Sequence, residues 1–392
     1  MRRIVRLWCF MTVLVLCAAA CAEDWPNWRG PTHDGISVEK GWSTTWGADG
    51  PRVLWRASVG QGHASFAVAK GRVYTMGNAR NTDTVFCFDA ATGRQVWKKS
   101  YPCAAGNYPG PRSTPAVDGD LVFTLSREGH LLCFNAATGK PRWNRKLNAR
   151  IPNWGLASSP LILGTRVIVN VGTSGMAFTK TSGRPSWSGG NGASGYASPV
   201  PMKSGSRTTL LMFGESSLYG VSTSGRRGWG FPWQTRHNVN AADPVVCEKR
   251  VFVSSGYGTG CAMLSVGRGR PRAVWRNRNM KSHFASPVYW KGYLYGFDDS
   301  SLQCLSAKTG RAMWSERSPG KGGLMLADGK LIIQAERGGG LIIAETNPNR
   351  FTELARARLP LGHSWTAPVL ANGRIFCRDD RGSVVCVDVS GK

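Results

Sequence analysis

The sequence predicts an all-β fold: an eight-bladed β-propeller of four-stranded antiparallel blades, closed by an N-terminal strand pairing with the C-terminal blade. The first observation behind it is a repeat. Trp55, Trp97, Trp143, Trp187, Trp229, Trp275 and Trp314, followed by Leu354, are spaced by 42, 46, 44, 42, 46, 39 and 40 residues, a period that belongs to blades and solenoid turns. The second lies between the tryptophans. Segments such as RVYTMG (72–77), LVFTLS (121–126), RVIVNV (166–171) and LIIQAE (331–336) alternate in polarity between Gly, Asp, Asn and Ser, which reads as short strands, and no window reads as a helix. The third is a mismatch at the two ends. The last unit, residues 366–392, supplies three strands and stops, while RVLWRASVG (52–60) carries Trp55 with no repeat of its own before it. Joining the two leaves no bare sheet edge.

Taken in order, residues 1–22 read as a signal peptide. Arg2, Arg3 and Arg6 precede an apolar core, and Ala20-Cys21-Ala22 offers small residues for cleavage. Lipidation of Cys21 is the alternative, although Ala18 stands where such sites usually carry Leu. No later stretch approaches the roughly 20 apolar residues of a membrane span. The expected location is therefore the periplasm or cell envelope, with a membrane reached only through a lipid anchor. Residues 23–51 form an arm whose Trp25, Trp28 and Pro31 lie too far before the closing strand to belong to the repeat. The arm is expected to fold onto the bottom or side of the ring as a structural latch, and residues 52–392 to form the propeller.

Within one unit, STPAVDG (113–119) is the inner strand and its turn, LVFTL the second strand, LLCFN the third, and ATGKPRW leads into the outer strand. Gly139 and its counterparts Gly93, Gly183, Gly225 and Gly310 sit where that turn calls for positive φ. The tryptophans are then free to dock on the neighbouring blade. Two units depart from the pattern: Leu354 replaces Trp, and SVGRGRPRAVW (265–275) carries two extra residues.

The strings CFDAATGRQVW (87–97), CFNAATGKPRW (133–143) and CLSAKTGRAMW (304–314) resemble the tryptophan-docking motif of the PQQ-like propeller group. That group includes pyrroloquinoline-quinone alcohol dehydrogenases and an outer-membrane assembly lipoprotein. The resemblance implies the ring but not one activity. A dehydrogenase of the group needs PQQ, a Ca²⁺ held by acidic and amide oxygens, and a catalytic carboxylate, and its relatives often carry a vicinal disulfide. This sequence has neither adjacent cysteines nor a CxxCH haem site, so no cofactor and no catalytic residue is expected, with PQQ and Ca²⁺ as the alternative. Asp243 and Glu215 are the acids least easily assigned to turns.

Cys87, Cys133, Cys304 and Cys386 share one repeat position, where Ala177 stands in another blade, and read as packing. Cys103, Cys247, Cys261 and Cys377 follow no such rule, and their pairing stays open. The formal net charge of +27, from 50 Lys and Arg against 23 Asp and Glu, favours anionic partners. Nucleic acid is not expected, because no binding module for it is present. The basic run RGRPRAVWRNRNMK (268–281), with Arg268, Arg270, Arg272, Arg276, Arg278 and Lys281, is its densest part.

Connections entering each repeated S-x-P or A-x-P segment should lie at one mouth of the channel. They carry His63, Arg112, Trp154, Tyr196, Asn240, His283, Lys321, His363 and Trp365, the candidate ligand-binding funnel. The histidines there have no tight ligand spacing, so no metal site is expected. The expected role is a non-catalytic binding or scaffolding module for an envelope protein or anionic polysaccharide. A quinone-dependent dehydrogenase and an outer-membrane assembly factor are the alternatives.

Overall fold

Strands such as Arg72–Ala79, Leu121–Leu125 and Lys330–Ala335 are buried along nearly their whole length, whereas outer strands such as Pro141–Lys146 and Arg227–Pro232 alternate between exposed and half-buried residues. A strand buried on both faces needs a neighbour in front and behind, which is the environment of a blade stacked between two others. The computed structural model describes residues 23–47, 49–267 and 269–391. The expected signal peptide, with Cys21, and Arg268 lie outside them.

Eight antiparallel sheets follow the chain: residues 67–102, 116–146, 161–188, 200–232, 245–277, 288–316, 322–358 and 369–388, numbered here as blades 1 to 8. No helix occurs among the described residues. The inner strands Ala67–Ala69, Ala116–Asp118 and Leu161–Leu163 neighbour one another around an axis, as do Val245–Cys247, Val288–Trp290 and Gly322–Ala327. Blade 8 lacks an outer strand of its own, and Val53–Ser58 supplies it by pairing with Ser383–Asp388, Trp55 opposite Cys386. The register of that pair shifts between Val53 and Trp55. The outer strands of blades 1 and 2 shift at the same place relative to Trp97 and Trp143. A bulge there bends the strand and re-aims the side chain, so the borrowed strand repeats the geometry of the others.

The re-aimed tryptophan lands on the next blade's turn. The indoles of Trp55, Trp97, Trp143, Trp187 and Trp275 press on Gly93, Gly139, Gly183, Gly225 and Gly310, where an added Cβ would lie 2.5–2.7 Å from the nearest atom. The φ of these five glycines is between +65° and +89°. Close contact and left-handed backbone both demand Gly. The indole N–H donates to a carbonyl of the same turn: Trp55 to Ala90, Trp97 to Ala136, Trp143 to Lys180, Trp187 to Thr223, Trp275 to Ala307, and Trp314 to Asn347. Trp229 faces the blade with the two-residue insertion and lies over Gly220 of its own blade. Leu354, in the last Trp position, is exposed. At that seam Ser43 N–H donates to Val389 O at 2.7 Å, the carbonyl an indole would have met, while Trp42 is buried beside it.

All eight cysteines among the described residues are buried and free. Cys87, Cys133, Cys304 and Cys386 lie directly opposite Trp97, Trp143, Trp314 and Trp55, the packing position expected of them.

Residues 23–39 run along the channel-facing inner strands, whereas Trp42 and Trp46 of the same arm pack on the side of the ring at the seam of blades 7 and 8. Trp25 exchanges two backbone hydrogen bonds with Val68, and Pro26 O accepts from Val117 N. Ile36–Ser37 runs parallel to Leu326 and Ala327 on the inner edge of blade 7, giving that sheet a fifth strand. Glu39 accepts from the backbone N–H groups of Asn372 and Gly373 in blade 8. An inner strand has one unpaired edge facing the channel, and the arm satisfies part of it.

Candidate functional site

The S-x-P segments do more than start a strand. The entry residues of blades 1 to 5 donate their backbone N–H to the side-chain oxygen of the equivalent residue in the next blade: Ser65 to Thr114, Thr114 to Ser159, Ser159 to Ser198, Ser198 to Asp243, and Asp243 to Ser286, at 2.7–3.0 Å. This belt holds six blade entries around the channel. Asp243 takes the place of a Ser or Thr in it, so its first role is to link blades. Its second oxygen accepts the indole N–H of Trp28 at 2.5 Å, and the guanidinium of Arg29 donates to Ser286 O and Pro287 O beside it.

Above the belt lies a cavity of about 220 Å³. Its floor is Trp28 and Asp243, and its wall comes from the connections entering blades 1 to 6 and 8, with Tyr257 added from the hairpin between Arg250–Ser255 and Gly260–Ser265 of blade 5. The arm therefore stoppers the channel from beneath, and the site is a cup. Around its wall Trp154, Tyr108, Trp365, Phe284, His283 and Tyr257 succeed one another with ring centroids 4.8–5.7 Å apart. His63 stacks on Trp365 at 5.6 Å. Such a belt offers flat faces to a ligand ring or peptide plane.

Arg112 faces this aromatic wall, and Lys321 places its Nζ 5.9 Å from the centroid of the Phe284 ring. Arg112 donates through Nη2 to the carbonyls of Asn107 and Tyr108, while its buried Nη1 has no hydrogen-bond partner. Burial, helped by the nearby Arg127 charge, lowers its pKa to about 10, so it stays protonated at neutral pH. The two histidines of the wall do not share that charge. Burial lowers the pKa of His63 against the pull of Asp380, and burial with the Lys321 charge lowers that of His283. Asp243 is occupied by Ser198, Trp28 and the Arg29 field. The cup is apolar with one under-bonded guanidinium.

Of the nine funnel residues expected from sequence, His63, Arg112, Trp154, Tyr196, His283 and Trp365 line the cavity. Asn240 does not: it is fully buried, its amide donating to the carbonyls of Gly214, Glu215 and Trp233 and its oxygen accepting from Ser255. Lys321 is not among the lining residues, its Nζ lying 3.3 Å from His283 Nδ1. His363 is held at the rim between Asp380 and Glu336. Glu215 points to Arg150 and Asn238. Sequence reasoning missed Trp28, Tyr108, Tyr257 and Phe284. Tyr108 and Phe284 sit in the same connections as Arg112 and His283, and the S-x-P register could have flagged them. Among the described residues of the basic run, Arg272 and Arg276 lie on the outer strand Arg272–Asn277 of blade 5, and none of the run lines the cavity.

The family model described as outer membrane protein assembly factor BamB matches residues 42–109 and 83–316. No curated protein matches the chain. Among solved structures, BamB from Moraxella catarrhalis superposes with a TM-score of 0.66 at 17% identity, covering 86% of this chain and 99% of its own. A quinohemoprotein alcohol dehydrogenase from Pseudomonas putida HK5 gives 0.65 at 13% identity, covering 94% of this chain and 80% of its own. A europium-containing methanol dehydrogenase gives 0.63 at 14% identity, covering 93% and 89%. At these identities the likeness is one of fold.

Proposed function

This chain belongs to the outer membrane protein assembly factor BamB family of PQQ-like propellers, and from that premise we propose that it is an exported, non-catalytic binding module of the cell envelope whose cup takes an acidic sugar unit of an anionic glycan. The observation that carries this reading is Arg112. A buried guanidinium nitrogen without a partner is costly, and a carboxylate supplied by a ligand would satisfy it in a site already walled by sugar-stacking rings. The +27 formal charge of the whole chain favours approach of a polyanion.

The quinone reading finds little support in the same residues. A divalent cation beside a quinone requires free carboxylate and amide oxygens, yet among the described residues Asp243 is the one carboxylate lining the cavity, and both of its oxygens already accept hydrogen bonds. The Asn240 amide is spent on backbone beneath the wall. The donor set does not fit the group. A protein ligand is the second reading, favoured by the family match, with an acidic side chain or C-terminal carboxylate in place of the sugar acid.

Calorimetry with uronic-acid oligosaccharides, their neutral counterparts and acidic peptides separates these. Binding of the uronate alone, lost in Arg112→Leu and retained in Arg272→Ala, is expected. Equal binding of neutral and acidic sugars would overturn the assignment to Arg112, and binding of peptides alone would replace the glycan with a protein. Dye reduction on adding the quinone and Ca²⁺ with an alcohol would restore the enzyme reading.

A further inference from the structure

We propose that Cys103, Glu128 and His130 bind one divalent cation at the seam between blades 1 and 2, and that zinc is the ion their donor set fits. Cys103 follows the outer strand Gln95–Pro102 of blade 1, while Glu128 and His130 sit on the turn between Leu121–Leu125 and His130–Asn135 of blade 2. One ligand atom from each lies within 4.8 Å of the others. Tetrahedral zinc with bonds of about 2.0–2.3 Å sets its ligands roughly 3.3–3.7 Å apart, so closing the site takes about an ångström of adjustment from the half-buried Glu128 and His130. Thiolate, imidazole and carboxylate together are a zinc donor set, with a fourth position left for water.

An independent feature points the same way. Asp83 is 0% exposed, and its carboxylate meets the Cys103 thiol and the neutral donors Asn78 Nδ2 at 2.7 Å and Tyr101 Oη at 3.5 Å. Among the described residues no Lys, Arg or His forms an ion pair with Asp83 or with Glu128. Asp83 is thus a fully buried acid beside the thiol with no cation of its own, where buried charge is normally paired or bound to metal, while the half-buried Glu128 accepts the Ala104 N–H at 3.2 Å. Ser126 Oγ, 3.0 Å from His130 Nδ1, orients the imidazole as outer partners of metal sites do. Lys146, exposed, places Nζ 3.3 Å from Nε2, and this amine must swing out when the ion enters. Binding costs the Cys103 thiol its proton, which passes to solvent, with no change of redox state. The ion would tie two blades together far from the cup.

The full mature protein, reduced and stripped of metal, is titrated with ZnCl₂ by calorimetry in two buffers of different ionisation enthalpy, and with CoCl₂ by absorption. One equivalent bound, about one proton released and a thiolate-to-cobalt charge-transfer band are expected. Cys103→Ser should remove the band, and His130→Gln should weaken zinc binding at least about tenfold. Lys146→Ala, which removes a competing charge, should tighten it. Since Cys103 is buried, His130→Gln and Glu128→Gln provide the test if the serine variant does not fold. Failure to bind one equivalent, or binding unchanged in His130→Gln and Glu128→Gln, refutes the site and leaves only adventitious surface metal.

Discussion

Replacing Gly93 with Ala probes how the ring is sealed, because Gly93 receives Trp55 across the junction of the borrowed strand's blade with blade 1. Its φ is +71°, and a Cβ would stand 2.6 Å from Cγ and Cδ2 of the indole and 2.9 Å from its Cβ. Two penalties add. The left-handed backbone costs an L-residue about 1–2 kcal/mol, and displacing a buried ring costs about 1–3 kcal/mol. Gly93→Ala is therefore expected to lose about 2–5 kcal/mol. Trp55→Ala removes a side chain that is 7% exposed, packs against Phe88 and Phe376 and donates to Ala90 O at 3.0 Å, at a cost of about 3–5 kcal/mol. In the double variant the new methyl meets a void, so only the backbone penalty survives. The two losses should fall short of additivity by about 1–3 kcal/mol. Urea unfolding of the four proteins, followed by circular dichroism, measures the difference. A Gly93→Ala penalty as large without Trp55 as with it would show that the indole does not rest on this glycine, and the docking account of the junction would fail.

Arg378 is fully buried and spans the same junction, donating to the carbonyls of Ala64, Met76 and Gly60 and to Thr75 Oγ1. Arg378→Met strands those carbonyls at about 1–3 kcal/mol each, so a loss of at least about 3 kcal/mol in urea unfolding is expected, and Lys, lacking the planar fork, should not restore it. Asp388 is held down to about pH 2 by the Ser390 backbone N–H and by Arg52. A folded pKa below the unfolded value of about 3.9 means that its stabilisation is complete above that value and fades as pH falls toward 2. Asp388→Asn should flatten that part of an acid-unfolding profile. In the cup, Arg112→Leu should weaken an acidic oligosaccharide by roughly 10- to 150-fold, the worth of one charged hydrogen bond of about 1.5–3 kcal/mol, read by calorimetry. Trp365→Ala, which removes a stacking face, should weaken the same acidic oligosaccharide in the same titration.

The ring was legible because its information is local and repeated. Trp, turn Gly and a small residue opposite recur in nearly every blade, and the borrowed strand could be recognised by Trp55 alone. The mouth was legible at the level of loops but not of side chains. In the connection to blade 2, Arg112 was foreseen and Tyr108, four residues earlier with φ +52°, was not. In the connection to blade 5, Asn240 turns inward to backbone while Val239 and Ala241 on either side face the cup. Direction within an irregular loop depends on tertiary hydrogen bonds that carry no periodic trace. The first part of the arm was misplaced for a related reason. Trp28 and Arg29 find their partners only after the blades are arranged in a circle, and nothing near them in sequence names Asp243 or Ser286.

Those partners are distant along the chain: 215 residues separate Trp28 from Asp243, and 257 and 258 separate Arg29 from Ser286 and Pro287. Trp25 and Pro26 can meet Val68 and Val117 early, but the bonds of Trp28 and Arg29 to blades 5 and 6 cannot form until most of the polypeptide has been made. Contacts closed over such spans form late, so folding passes through a stage in which the blades are present and the axle is missing.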